Sequence, residues 1–82
     1  MDIKVGSAVY SLSGRDKGKM YLVSRIENGY CYLTDGDKRR IENPKKKKEK
    51  HLNRTNFVSS VFEADVVENH MIRKELKKLR PI

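Results

Sequence analysis

Tryptophan is absent from this sequence of 82 residues, proline occurs twice and cysteine once. A single cysteine, Cys31, excludes an internal disulfide and suits a reducing compartment. No run of about 18 apolar residues occurs, so no membrane-spanning helix is expected. Met1-Asp2-Ile3-Lys4 lacks the apolar core of a secretory signal, and a cytoplasmic location is the expectation. Metal-ligand spacing is missing as well. His51 and His70 are nineteen apart and Cys31 is twenty before His51, which fits no zinc site. Gly14–Lys19 lacks the spacing and the following Ser/Thr of a phosphate-cradling P-loop. Asp16, Asp35, Asp37 and Glu42 lie near turns; Asp35 reads as a turn former and the others as charge partners of neighbouring lysines, not as an acid–base pair. A chain this short forms one domain, buries only about 60% of its unfolded surface and has no room for a deep cavity. An enzyme, a cofactor, a metal and a small-molecule substrate are therefore not expected; no motif speaks to oligomeric state.

Acidic residues are also scarce, 11 against 19 Lys+Arg, for a net charge of +8. The excess is local. Residues 1–37 carry five basic and five acidic side chains, residues 38–50 eight and two, residues 51–82 six and four. Six of the eight excess charges thus fall in thirteen residues. Solubility alone calls for mixed, spread charge; a cluster has the form of a polyanion-binding footprint.

The turn signals divide the chain finely. Ala8–Ser13 and Lys19–Ile26 read as strands around a Gly14–Gly18 loop, since two glycines can take positive φ at little steric cost. Asn28-Gly29 is a hairpin signal, Tyr30–Thr34 a third, β-prone strand, and Asp35-Gly36 a second tight turn. Arg39–Glu42 is expected as a short fourth strand ending at Pro44, and His51–Thr55 as a fifth. Lys45–Lys48 repel one another and give no reason to pack; Lys45–Lys50 is expected to be disordered when free and to order on binding. Phe57, Val58, Val61, Phe62, Val66 and Val67 show no clean period and read as a partly buried connection, with Phe57 and Phe62 as core beneath a helix. Asn69 is a candidate N-cap; Ile72, Leu76 and Leu79 make one helical stripe over 69–80, basic at its end and stopped by Pro81. The expected architecture is mostly β: a single domain over 1–82, with an antiparallel barrel of about five strands over 6–55 and a C-terminal helix over 69–80.

Gly6 to about Ile26, with Gly18 between Lys17 and Lys19, resembles the KOW motif of ribosomal and NusG-type elongation proteins. With the basic stretch, Lys50-His51-Leu52 and the Ile72–Leu76 segment (Ile-Arg-Lys-x-Leu), the chain looks like short bacterial KOW-domain RNA-binding proteins, similar to the large-subunit ribosomal proteins of the fourteen-e type. The resemblance implies an SH3-like barrel and binding to structured RNA, most simply ribosomal RNA. It carries over to Gly14 and Gly18 as loop glycines and to Arg15, Lys17 and Lys19 as RNA contacts; Ser59–Glu68 matches nothing in the family.

The residues agree with that implication on their own terms. Arg15, Lys17 and Lys19 are placed to grip phosphates, and Lys38, Arg40, Lys45, Lys46, Lys47, Lys48 and Lys50 to extend the grip. Tyr10, Tyr21, Tyr30 and Tyr32 are the rings available for base stacking, with Tyr10 favoured by its nearness to the basic loop. Against these stand plainer readings: a solvated loop with Asp16 pairing locally, a solubilising lysine tract, and tyrosines that merely pack. The expected function is RNA binding at the ribosome. A module that binds a ribosomal or transcription protein is the alternative, because an acidic partner would use the same lysines.

Overall fold

The period-two apolar pattern between Ser7 and Thr34 forms three consecutive strands in the computed structural model, which describes residues 2–79. β1 (Ser7–Ser11) pairs antiparallel with β2 (Met20–Glu27), Val9 opposite Tyr21. β2 turns into β3 (Tyr30–Thr34) through Asn28 and Gly29, whose φ values of 49° and 80° are those of a type I′ hairpin turn. β4 (Lys45–Lys48) lies beside β3. A single 3-10 turn, Glu49–His51, then redirects the chain into β5 (Leu52–Val58), which pairs with β1. The strand order is β4-β3-β2-β1-β5, all antiparallel. The sheet curls strongly: Lys47 on β4 reaches Ser11 on β1 across two intervening strands, Nζ to Oγ 2.7 Å. This is the expected mostly β, barrel-like fold with a C-terminal helix.

Alternation sends side chains to two cores. Val9, Tyr21, Val23, Cys31, Leu33 and Leu52 fill the inside of the curl. Ala8 and Leu22 point the other way and meet Ile72 and Leu76 of α1 (Asn69–Lys77). Phe57 and Phe62 pack around that second cluster, as expected for residues beneath a helix, and Val61 joins them. Nine residues make too short a helix to persist alone, so α1 exists by virtue of this burial. No helix among the described residues is long and apolar enough to cross a membrane.

Three local expectations are corrected. The fourth strand is Lys45–Lys48, not Arg39–Glu42. Asp35 Oδ1 accepts from the N–H groups of Asp37 and Arg39, both at 2.9 Å, which coils the chain into a loop and leaves nothing for a ladder. The Ile41 N–H goes to Asn69 Oδ1 at 2.8 Å, so that segment docks on the helix. Asn69 accordingly is not the N-cap; Glu68 is, and the Asn69 side chain ties the loop down, donating also to Glu42 at 2.9 Å. The fifth strand runs on to Val58, taking Phe57 and Val58 out of the connection, and Val61–Glu63 forms a 3-10 turn. Arg80 and Pro81, the expected end of the helix, lie outside the described residues.

Candidate nucleic-acid interface

The loop between β1 and β2 is held by its own backbone: the Gly18 N–H donates to Ser11 O at 2.8 Å and the Lys19 N–H to Asp16 O at 2.9 Å. This closure turns Asp16 inward, where only 5% of it is exposed. Asp16 Oδ1 accepts from Ser11 Oγ at 2.9 Å and from Lys47 Nζ at 2.8 Å. Its Oδ2 is buried and accepts no well-directed hydrogen bond, but Lys45 Nζ faces it at 2.9 Å as an ion pair. Burial alone would raise the Asp16 pKa. The Lys47 and Lys45 ammonium groups and the Ser11 hydroxyl outweigh it and hold the carboxyl well below its ordinary 3.8. Lys47 Nζ donates further to Ser11 Oγ and Ser13 O, both at 2.7 Å.

This cluster overturns the expectation of a disordered lysine run. Four lysines can form a strand because their directions alternate. Lys45 and Lys47 turn inward to one shared carboxylate; Lys46 and Lys48 turn out to solvent. Asp16 therefore does not pair within its own loop. With its side chain 10% exposed and its ammonium group bonded to three oxygens, Lys47 is an internal strut and not a free contact.

The other candidate residues do not all share one place. Arg15, Lys19, Lys38 and the partly exposed Lys45 line one surface depression, joined by Arg39, which sequence reasoning had left out. Two loops thus converge there, Gly14–Gly18 and the coil after Asp35. Beside it, Tyr10, 37% exposed, shares a groove with Lys19, Lys38, Met20, Leu76 and Leu79. Lys17 is exposed at the loop, and Arg40 is exposed with Glu42 Oε2 3.3 Å from its Nε. Lys48 and Lys50 stand at the opposite end of the sheet, near Asn28, Gly29 and Tyr30. Asp35 also lines the depression, and with Asp37 it interrupts the cationic surface between Lys38 and the Lys74–Lys77 face of α1.

The outer face of β2, β3 and β4 holds residues that the sequence reading did not bring together. In register, Arg25, Tyr32 and Lys46 form one row, and Glu27, Tyr30 and Lys48 the next. The Arg25 guanidinium sits 4.0 Å from the Tyr32 ring centroid and Lys46 Nζ 4.5 Å from that of Tyr30. The signal was the i, i+2 spacing of the two tyrosines; Arg25 comes from the other arm of the same hairpin and Lys46 and Lys48 from β4, some sixteen residues on. Tyr21, by contrast, is core, its phenol pushed up to about 12 by burial and the nearby Asp16 carboxylate. Cys31 is core too, its thiol pushed up to about 11 by burial, so it packs as a small apolar strand residue.

No protein-family model matches this chain, and no curated protein matches it. The KOW resemblance rests on the residues that carry it.

Proposed function

We propose that this protein is a non-enzymatic RNA-binding module of the cytoplasm that grips the phosphate backbone of folded RNA, with ribosomal RNA as the simplest target. The observation that carries the reading is the meeting of Arg15, Lys19, Lys38 and Arg39 in one depression at the loop end of a barrel-like sheet. Charges from two loops, some twenty residues apart, are gathered there instead of being dispersed. Lys17, Arg40, Lys46, Lys48 and Lys50, all exposed, widen the reach; Lys47 drops out of the contact set because Asp16 holds it. Backbone phosphates need no sequence-specific partner, which suits flexible cations around a rigid scaffold. Filter-binding titrations of a structured RNA over a salt series test the reading. With about six phosphates neutralised, log K should fall with log salt at a slope of about −4 to −5. No affinity, or affinity that does not change with salt, overturns it.

A second reading is a docking module for an acidic protein surface. What favours it is the apolar floor that Met20, Leu76 and Leu79 give to the groove between Lys19 and Lys38. Co-sedimentation with ribosomes before and after nuclease treatment separates the two. Loss on nuclease treatment supports RNA; retention supports a protein partner.

A further inference from the structure

We propose that the outer face of β2–β3–β4 is a stacking platform for unpaired nucleotides, with Tyr30 and Tyr32 as its rings and Arg25, Lys46 and Lys48 as its phosphate contacts. The inference rests on the RNA-binding reading above and names a second surface and a substrate class for it.

Helix α1 covers the part of the outer face at Ala8 and Leu22; Tyr30 and Tyr32 lie outside that cluster and are half-buried, with Arg25, Lys46 and Lys48 exposed around them. On one face of a strand, two aromatic side chains two residues apart are rooted about 7 Å from each other and point the same way. Each ring already stacks a cation, Arg25 on Tyr32 and Lys46 on Tyr30. Among the described residues, none of Arg25, Lys46 and Lys48 has a carboxylate within 4.0 Å. Their charge is left for an outside anion. Glu27 is the acidic member of the face, and Tyr32 Oη donates to it at 3.4 Å. Sheet faces that interleave rings with cations bind single strands this way: rings take base planes and the cations take the phosphates between them. A duplex, whose bases are already stacked, offers this face nothing but phosphates. Asp16 has a part in the platform although it lies inside the barrel. By drawing Lys45 and Lys47 inward it sets the alternation that leaves Lys46 and Lys48 beside the tyrosines.

The protein has four tyrosines and no tryptophan, so its emission is tyrosine emission, and the part quenched at Tyr30 and Tyr32 is the part that their replacement removes. The experiment titrates wild type, Tyr30→Leu/Tyr32→Leu and Tyr30→Phe/Tyr32→Phe with a labelled short oligouridylate and with a blunt-ended RNA duplex of two strands. The oligouridylate should quench wild-type emission. The leucine pair should weaken oligouridylate binding by about 10–100-fold, from the loss of one or two stacked bases. It should leave duplex affinity and its salt slope unchanged, and the phenylalanine pair should bind both RNAs like wild type. A leucine pair that binds oligouridylate as tightly as wild type overturns the platform. Duplex binding by wild type without oligouridylate binding also overturns the platform, while leaving the RNA reading intact; binding to neither RNA removes both. If circular dichroism finds the leucine pair unfolded, photocrosslinking of thiouridine-substituted oligouridylate to wild type decides. Adducts on Tyr30 or Tyr32 support the proposal and adducts confined to other residues overturn it.

Discussion

Asp16 joins the loop to the lysine strand through a single carboxylate. It lies inside the fold with three positive or polar partners, and removing its charge strands two ammonium groups that, among the described residues, form no other ion pair. Asp16→Asn should lower stability by about 3 kcal/mol, a large share of the roughly 4–12 kcal/mol available to a domain of this size, measured by urea denaturation. The pH dependence follows from the depressed pKa. The ion cluster is fully present above the unfolded value near 3.8 and is lost as pH falls through the lower folded value. The stability gap between wild type and Asp16→Asn should therefore stay constant from neutral pH to about pH 4 and narrow below it. The neighbouring lysines make a sharper comparison. Lys47→Met should cost about 1–2 kcal/mol, whereas Lys46→Gln, whose side chain faces solvent, should stay within about 0.5 kcal/mol. Equal effects would mean that the inward–outward alternation of the strand is wrong.

At the scale of elements, the coil after β3 and the start of α1 interlock. Gly36 has φ of 74°, and a Cβ there would run into the Asn69 carbonyl and the Ile72 side chain. Gly18, at φ of 85°, has open space where a Cβ would sit. Gly36→Ala should thus destabilise by about 3 kcal/mol, combining backbone strain with a clash that must displace the helix, and Gly18→Ala by about 1 kcal/mol from strain alone; thermal melts compare them. Ile72→Ala should cost about 2–4 kcal/mol, because it empties the joint between α1 and Leu22. Strands β1 to β3 were legible in the sequence through apolar alternation and the Asn28-Gly29 turn. Strand β4 was not. Four lysines carry no apolar signal, and what stabilises them is a carboxylate about thirty residues earlier. Asn69 misled for a related reason: its amide serves a contact 28 residues away instead of its own helix end.

For the whole molecule, the question is how far its cations act together. The longest dimension is 32 Å, so one folded RNA could touch both the loop-end depression and the outer sheet face. Neutralising Arg15, Lys19 and Lys38 together with glutamine should make the salt slope shallower by about 2 to 3. Lys47→Met, compared at a temperature where it is folded, should leave the slope as it is, since its charge is already taken up internally. Slopes from the same filter-binding series decide both.

The amino-acid sequence alone determined the class of fold, the first three strands, the helix and the presence of a concentrated positive charge, because period, turn chemistry and charge counts are local properties of a chain. Which lysines are free and which are buried, which tyrosines share a face, and that Arg39 and Arg25 belong with the candidate residues were decided by the curl of the sheet and the register of its strands. Those depend on contacts between residues far apart in the chain, and a strand's register alone sends each side chain to the inside or to the solvent.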